Sequence, residues 1–379
     1  MSWLPLTAVL ASVSIYAVMA GISYPLLTLI LEAQGVDKLL IGLNAAMMPL
    51  GFIISSPLAP KLAAVVGARR LVVCAFLLDG ALLLAIGATQ SLIAWFPLRL
   101  LLGMSANCLF IVSEAWINEL VDQRFRGRIL GVYATSLSIG FSGGAFIVAL
   151  TGSTSWAPFV IGAITAWIGL LIMLTAWRSL PPFPAEAGAS LRAFLPLAPM
   201  LLACIGVLAF FDQSALSLFP TYALSHGVTE AAAAAGVATL VLGNTALQIP
   251  IGWLADHLPR RRMILICAVI AAVGSFVLPA VIASPVLLWP LLFVTGAFSY
   301  GVFTLALAEL GDRYSGSLLL AGNAAFALMW GVGGLIGPPT VGAAMNFIDP
   351  EGFPITLGLS YAILTALIVT TMIRTKRAS

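Results

Sequence analysis

In residues Gly252–Ala283, GWLADHLPRRRMILICAVIAAVGSFVLPAVIA, a polar turn with three arginines precedes a long apolar run. That run, near 262–283, is long enough to cross a bilayer as one helix, because a crossing takes about 20 residues. A second apolar run, near 231–255, ends just before the arginines. The stretch therefore predicts two membrane helices joined by a tight basic loop.

The rest of the chain repeats this pattern. Of its 379 residues, 61% are hydrophobic and 8% are charged, against about 45–50% and about 25% in soluble domains. A mean hydropathy of +1.10 excludes a water-soluble enzyme. The sequence predicts an all-α membrane protein with twelve transmembrane helices in two pseudo-symmetric six-helix bundles. The predicted spans lie near 6–31, 39–65, 70–90, 92–119, 127–150, 156–177, 195–222, 231–255, 262–283, 286–309, 316–345 and 353–373.

The two halves of the chain resemble one another in sequence. Pro25 in YPLLTLILEAQGV matches Pro220 in FPTYALSHGV, and NELVDQ after span 4 matches AELGDR after span 10. The polar stretch RSLPPFPAEAGASLR, residues 178–192, has the composition of a linker. We therefore expect an N-terminal bundle over 1–178, a linker over 179–194 and a C-terminal bundle over 195–379. Two repeated halves with a site between them form a transporter architecture.

Basic residues predict the orientation. Only Lys38 lies in a loop of the opposite side, and only Arg99 lies inside a span. By the positive-inside rule, both termini and the linker are expected in the cytoplasm. The first span lacks a preceding basic residue and a cleavage site, so it reads as an uncleaved helix. The remaining 15 of the 17 basic residues lie in alternate loops or the tail: Lys61, Arg69, Arg70, Arg124, Arg126, Arg128, Arg178, Arg192, Arg260, Arg261, Arg262, Arg313, Arg374, Lys376 and Arg377.

The residues that bind metals or form disulfides are scattered. The four cysteines lie far apart inside apolar runs, and neither histidine is close to a cysteine. Neither a disulfide framework nor a metal site is indicated. The chain also lacks a Walker A sequence, so an ion gradient is the expected energy source. We expect neither a cofactor nor a nucleic-acid partner.

The turn GWLADHLPRRR resembles the loop signature of the major facilitator superfamily, in which such a loop helps to hold one face of the transporter closed. Gly252 is expected to allow two helices to approach closely, and Asp256 to be neutralised by arginines. The first half carries SPLAPKLAAVVGARR, which has Ser56 and Pro60 where the family has glycine and aspartate. The residues that match the signature in the two halves are Gly252, Asp256, Arg260, Arg261, Arg262, Arg69 and Arg70.

Other motifs extend the resemblance over the whole chain. RLLLG, which begins at Arg99, is similar to the family's intramembrane arginine motif, which implies proton or substrate handling. SEAWINELVDQRFRGRILGVY, residues 113–133, resembles a bacterial branch whose substrates are mostly unassigned. GFSGG in span 5 and GVGGLIGPP in span 11 are similar to the antiporter signature only loosely. Small residues at this spacing more often allow close helix packing.

Four charged residues lie away from the ends of the predicted spans: Asp79, Arg99, Glu114 and Asp212. A charge at the bilayer centre costs about 2.5–3.5 kcal/mol on insertion scales, so each suggests a function or a partner. Asp79 and Arg99 could form an ion pair, either structural or proton-linked. The spans of the second half offer Asp212 no basic residue. Asp212 is therefore a candidate for proton coupling or for binding a cationic substrate, or else it is hydrogen-bonded to a neighbouring helix.

Amide and aromatic side chains inside the spans suit a mid-sized, partly aromatic organic solute. The sequence therefore predicts a secondary transporter of the bacterial inner membrane that works by alternating access, is proton-coupled and is monomeric. A multidrug or metabolite efflux antiporter and a non-transporting receptor of the same fold remain alternatives. The candidate cavity residues are Tyr24, Asn44, Asn107, Gln213, Tyr222, Asn244, Gln248, Tyr300, Asn323 and Trp330.

Overall fold

The computed structural model describes residues 3–89, 91–121, 126–181 and 194–378. Within these ranges, twelve helices are long and apolar enough to cross a membrane, which confirms the predicted number of spans. They are α1 (Trp3–Ala33), α2 (Lys38–Ser55), α3 (Ala59–Thr89), α4 (Leu92–Leu120), α5 (Arg126–Thr151), α6 (Ala157–Thr175), α7 (Pro199–Ser225), α8 (Glu230–His257), α9 (Arg260–Val281), α10 (Pro285–Arg313), α11 (Gly316–Phe347) and α12 (Gly352–Ala378).

The boundary between the second and third spans differs from the prediction of 39–65 and 70–90. Helix α2 ends at Ser55, and α3 already begins at Ala59, with a π-helical turn over Ala63–Gly67. Pro57 disfavours helical backbone at the residue before it, whereas Pro60 lies in the first turn of α3, where its missing N–H costs nothing. The hydropathy profile missed this break because residues on both sides of it are apolar.

Helix α2 is itself interrupted. It consists of α2a (Lys38–Ala45) and α2b (Met47–Ser55), which are separated by a turn at Ala46. Pro49 lacks an N–H, so the carbonyl group of Ala45 loses its usual helical hydrogen bond. The break is therefore a consequence of the sequence MMPLG, which the hydropathy profile does not register.

Packing divides the chain into two compact units. Unit 1 comprises Met1–Gln34, Met47–Glu186 and Glu230–Ala238; unit 2 comprises Gly35–Ala46, Ala187–Thr229 and Thr239–Ser379. In unit 1, α1 packs against α5 and α6, and α3 packs against α4 and α6. Unit 2 repeats the arrangement, with α7 against α11 and α12 and α9 against α10 and α12.

Glycines allow the closest helix contacts at equivalent places in the two units. A Cβ atom added at Gly144 of α5 would overlap the backbone of α1 at Val18, and one at Gly333 of α11 would overlap that of α7 at Gly206. Gly103 in turn lets α4 contact Met48 of α2b. The glycine-rich motifs in spans 5 and 11 thus serve close packing, as their spacing indicated.

Candidate functional site

Asp212 is a buried carboxylate of unit 2. Its side chain lies within α7 and is 4% exposed. The hydroxyl group of Tyr300 on α10 donates to Oδ1, and Nε2 of Gln213 donates to Oδ2 at 3.0 Å. Among the described residues, none of the ion pairs includes Asp212. Two neutral donors therefore bind this acid, and the one from α10 is the hydrogen bond to a neighbouring helix that the sequence left as an alternative.

One face of α10 links Asp212 to two amide side chains of α8. Tyr300, Phe303 and Thr304 follow an i, i+3, i+4 spacing, which places them side by side, and all three are half-buried. Thr304 donates to Oε1 of Gln248 on α8 at 2.5 Å, and Nε2 of Gln248 donates to Oδ1 of Asn244. This α10 face therefore carries a chain of hydrogen-bonding groups next to the carboxylate.

The same face also has an aromatic part. The rings of Phe303 and Trp330 of α11 meet edge to face, with their centroids 5.7 Å apart. Phe303 and Thr304 were not among the residues that the sequence singled out. Their spacing from Tyr300 on one helix was the signal that could have found them.

Unit 1 contains two further buried charged residues. Asp79 of α3 and Arg99 of α4 are both 0% exposed. Asp79 lies beside Tyr16 of α1 and Ser105 of α4, and the electrostatic neighbour of Arg99 is Tyr24 of α1. The ion pair between Asp79 and Arg99 that the sequence allowed is not among those of the described residues. The α1 tyrosines lie beside both groups.

Several predicted cavity residues have other contacts. Asn107 donates to the carbonyl oxygen of Phe52 at 3.0 Å and to Ser55 Oγ at 2.9 Å, so it ties α4 to α2b. Tyr222 donates to Oε2 of Glu351 at 3.3 Å, near the end of α7. Of the remaining cavity candidates, Asn44 is buried in α2a and Asn323 is exposed. The charged candidate Glu114 is exposed and accepts a hydrogen bond from Tyr133 at 3.4 Å.

The loop signature forms an ion-pair network inside unit 2. Arg260 Nε lies 2.6 Å from Asp312 Oδ2, and Arg261 Nε donates to Oε1 of Glu309 at 3.1 Å. Arg313 also pairs with Glu309. The network thus links the first turn of α9 to the end of α10.

Gly252 was expected to allow two helices to approach closely, and Asp256 to be neutralised by arginines. Gly252 does not provide a close approach, because a Cβ atom there would meet open space. The side chain of Asp256 lies outside the described residues. Arg262 and Arg70, which also match the signature, are exposed.

In unit 1, one arginine that matches the signature contacts a backbone carbonyl group and not the acids seen in unit 2. Arg69 donates through Nη2 to the carbonyl oxygen of Leu180, just after α6. Trp116, fully buried in α4, donates through Nε1 to the carbonyl oxygen of Pro181 at 3.0 Å. Arg69 of the altered first-half motif thus holds the segment that follows α6.

Comparisons with known proteins agree with this architecture. An uncharacterised MFS-type transporter, YfkF of Bacillus subtilis (strain 168), is 27% identical over 92% of this chain and 91% of its own. The uncharacterised MFS-type transporter YcaD of Escherichia coli O139:H28 is 26% identical, with 73% of this chain and 72% of the relative covered.

Solved structures show the same fold. The crystal structure of a variant of the nucleoside transporter NupG superimposes with a TM-score of 0.80, at 16% identity over 97% of this chain and 99% of that one. The sequence model of the Major Facilitator Superfamily matches residues 9–211 and 201–379. The twelve helices, the repeated packing of the units and these matches lead to one conclusion: the chain belongs to the Major Facilitator Superfamily and is a membrane transporter.

Proposed function

We propose that this transporter is a proton-coupled secondary carrier that moves a small organic solute across the cytoplasmic membrane by alternating access. The observation that carries the proposal is Asp212, a buried carboxylate that contacts neutral hydrogen-bond donors. The cost of burying an ionised carboxylate is high unless a cation accompanies it. Binding a proton or a cationic group removes that cost, which is what a coupling site requires.

Tyr300 is the link between this carboxylate and the solute. It donates to Asp212 while lying on the same α10 face as Phe303 and Thr304. A change in the protonation of Asp212 changes what the Tyr300 hydroxyl group contacts, one helical turn from the hydrogen-bonding chain to Gln248. The proton and the solute are therefore proposed to act on one helix face.

The chemistry of that face suggests the class of solute. The amides of Gln248 and Asn244 offer hydrogen bonds, and the Phe303–Trp330 pair offers an aromatic edge. Asp212 favours neutral or cationic compounds over anions. A neutral or cationic, partly aromatic solute with amide-like hydrogen-bonding groups matches all three features. Nucleosides have this chemistry, and NupG is a nucleoside transporter, so nucleosides belong in a ligand panel.

Asp79 and Arg99 of unit 1 are the second candidate for coupling. Both are fully buried, and each lies beside an α1 tyrosine. We propose that the carrier is a monomer in the bacterial inner membrane, with both termini and the linker in the cytoplasm. The distribution of basic residues supports this orientation.

The experiment begins with ligands. The purified protein is screened by thermal shift against nucleosides, vitamins, other aromatic metabolites and cationic dyes, at one pH above neutrality and one below. A ligand that binds the native state raises the apparent stability in a concentration-dependent way. Shifts from many unrelated lipophilic cations would instead favour the efflux alternative. Binding without counterflow in proteoliposomes would favour a receptor.

The coupling test uses a solute found in that screen. In proteoliposomes with an imposed pH gradient, Asp212→Asn should lower solute accumulation by about tenfold or more while leaving counterflow measurable. Glu119→Gln, at an exposed position of α4, is the control and should accumulate solute normally. The proposal fails if Asp212→Asn and Asp79→Asn both leave gradient-driven accumulation intact.

A further inference from the structure

The interior of unit 2 contains a small cavity between α7, α8, α9, α10 and α12. Its volume is about 20 Å³, which is enough for one water molecule. The wall is apolar except for Ser275 of α9 and Thr295 of α10. Leu278, near the end of α9, and Leu291, near the start of α10, also line it. The cavity therefore lies towards the α9–α10 end of the bundle.

The hydroxyl group of Thr295 faces this cavity without a protein partner. A serine or threonine in a membrane helix can donate to a carbonyl oxygen of its own helix, as Ser275 does to Ala271 at 2.9 Å. Thr295 is 5% exposed, and its Oγ1 has no hydrogen-bond partner in the described part of the chain. A Cβ atom added at Gly274 of α9 would overlap this oxygen, so the glycine leaves room for it. The hydroxyl group is therefore available to water in the cavity.

Two further hydroxyl groups lead from Thr295 towards Asp212. Ser299 lies four residues later, on the same face of α10, and Tyr361 of α12 lies beside Ser299 and near Asp212. Both Ser299 and Tyr361 are fully buried. The ring of Tyr361 packs edge to face on Phe211, which precedes Asp212 and lines the cavity, with the centroids 5.5 Å apart. Thr295, Ser299 and Tyr361 thus form a buried hydroxyl file from the cavity to the carboxylate.

Few titratable groups surround the hydroxyl file. α11, which packs against α7, has none, and the acidic and basic residues of α10 and α12 lie at the ends of those helices. α2a, a further neighbour of α7, has Lys38, which pairs with Asp349. Cysteine and tyrosine are uncharged near neutral pH, so they leave Asp212 as the acid that can receive a proton. The groups closest to Tyr361 and Asp212 are Cys204 of α7, Cys267 of α9 and Tyr300 of α10.

The hydroxyl file and the proposed solute face use different sides of α10. Successive residues of a helix point about 100° apart, so Ser299 and Tyr300 face different neighbours. Tyr300 is half-buried and belongs to the face that carries Phe303 and Thr304, whereas Ser299 is fully buried beside α12. A proton that follows Ser299 therefore does not have to cross the solute face.

We propose that the hydroxyl file carries the coupling proton to Asp212 through the interior of unit 2. A proton from water in the cavity binds the oxygen of Thr295, whose own proton passes to Ser299. Ser299 then passes its proton to Tyr361, and Tyr361 passes its proton to a carboxylate oxygen of Asp212. Each hydroxyl group gains one proton and loses one, so the net change is one O–H bond formed on Asp212. The inference rests on the proposed role of Asp212 in coupling and adds the route to it.

The test follows the protonation of Asp212 by time-resolved infrared spectroscopy of the detergent-purified protein after a jump to acidic pH, and needs no transported solute. The carboxylic-acid C=O band that disappears in Asp212→Asn belongs to Asp212. Thr295→Val, Ser299→Ala and Tyr361→Phe each remove one hydroxyl group and largely keep the shape of the side chain. Each should slow the rise of this band by about tenfold or more and leave its final amplitude unchanged.

Two control variants remove hydroxyl groups outside the file and should keep the native rate. They are Ser360→Ala, whose hydroxyl group donates to Leu357 of its own helix at 2.7 Å, and Tyr314→Phe, just after the far end of α10. A defect of folding would lower the final amplitude and the melting temperature together, which a lost proton route would not. If Tyr361→Phe does not fold, Thr295→Val and Ser299→Ala still decide the result.

The outcomes separate the route from the coupling site. A native rate in the hydroxyl-file variants, with the Asp212 band present, overturns the file and leaves the coupling site standing. Slowing by Tyr300→Phe alone would show that the proton enters from the solute face, and would also overturn the file. If no C=O band depends on Asp212, the proposed coupling through Asp212 fails, and the file fails with it.

Discussion

Glu309 shows how a single buried acid can be compensated at the end of a membrane helix. Its side chain is 5% exposed, and it pairs with Arg261 of α9 and with Arg313 one turn along α10. A buried carboxylate that loses its only cation costs about 3–5 kcal/mol. With two arginines, Glu309 keeps a partner when either one is removed.

This arrangement predicts a graded loss of stability. Arg261→Gln should lower the free energy of unfolding by about 1–2 kcal/mol, because Arg313 still compensates Glu309. The apparent melting temperature of the detergent-purified protein measures the effect. Arg262→Gln, at the exposed neighbouring position, is the matched control and should melt like the native protein. Equal melting of the two variants would show that the contact between Arg261 and Glu309 is not stabilising.

Asp212 and Asp79 illustrate a different use of buried acids. Neither belongs to an ion pair formed by the residues in the described ranges. Tyrosines lie beside both of them, Tyr300 in unit 2 and Tyr16 in unit 1. A hydroxyl group can donate to a carboxylate and can accept from a carboxylic acid. The hydrogen bond from Tyr300 therefore suits an acid that exchanges a proton, as proposed for Asp212, whereas the arginines around Glu309 suit one that stays charged.

Within helix α5, neighbouring glycines have different roles. A Cβ atom at Gly144 would overlap the backbone of α1 at Val18 and Gly21, whereas one at Gly143 would meet open space. The two residues are adjacent in GFSGG and point in different directions around the helix. Of this adjacent pair, Gly144 makes the close contact with α1, as does Gly140 one turn earlier.

The pair gives a matched test of close packing. Gly144→Ala should lower stability by about 1–3 kcal/mol, because the added methyl group pushes α5 away from α1. Gly143→Ala should stay within about 0.5 kcal/mol of the native protein. Melting temperatures and the yield of monodisperse protein measure both variants. If Gly143→Ala is the more damaged of the two, α5 does not pack against α1 through Gly144.

At the scale of the whole molecule, the basic residues of alternate loops predict the orientation in the membrane. Fusions of alkaline phosphatase at the C-terminus and in the linker should be inactive, because phosphatase folds only outside the cytoplasm. A fusion in the loop between α1 and α2, at Gly35, should be active. Fluorescent-protein fusions at the same sites should give the opposite pattern. An active phosphatase at the C-terminus would contradict the predicted orientation.

Features that depend on local composition could be predicted from the amino-acid sequence. Runs of about 20 apolar residues set the number of helices, and the matching motifs in the two halves indicated a repeat that the packing of the two units also shows. The charged residues Asp79, Arg99 and Asp212 stood out inside apolar runs and are buried as expected. Each of these features can be read without knowing which helices are neighbours.

Which of these residues contact one another became known only from the three-dimensional packing of the helices. It joined Tyr300 to Asp212 and Thr304 to Gln248, and directed Arg69 to the carbonyl group of Leu180. The ion pairs of the described residues do not include one between Asp79 and Arg99. The spacing within a helix tells which residues share a face, but the neighbour of that face depends on how distant helices pack and cross. Pro49 accounts for the break in α2, but only the packing of the helices shows that α2a and α2b have different neighbours.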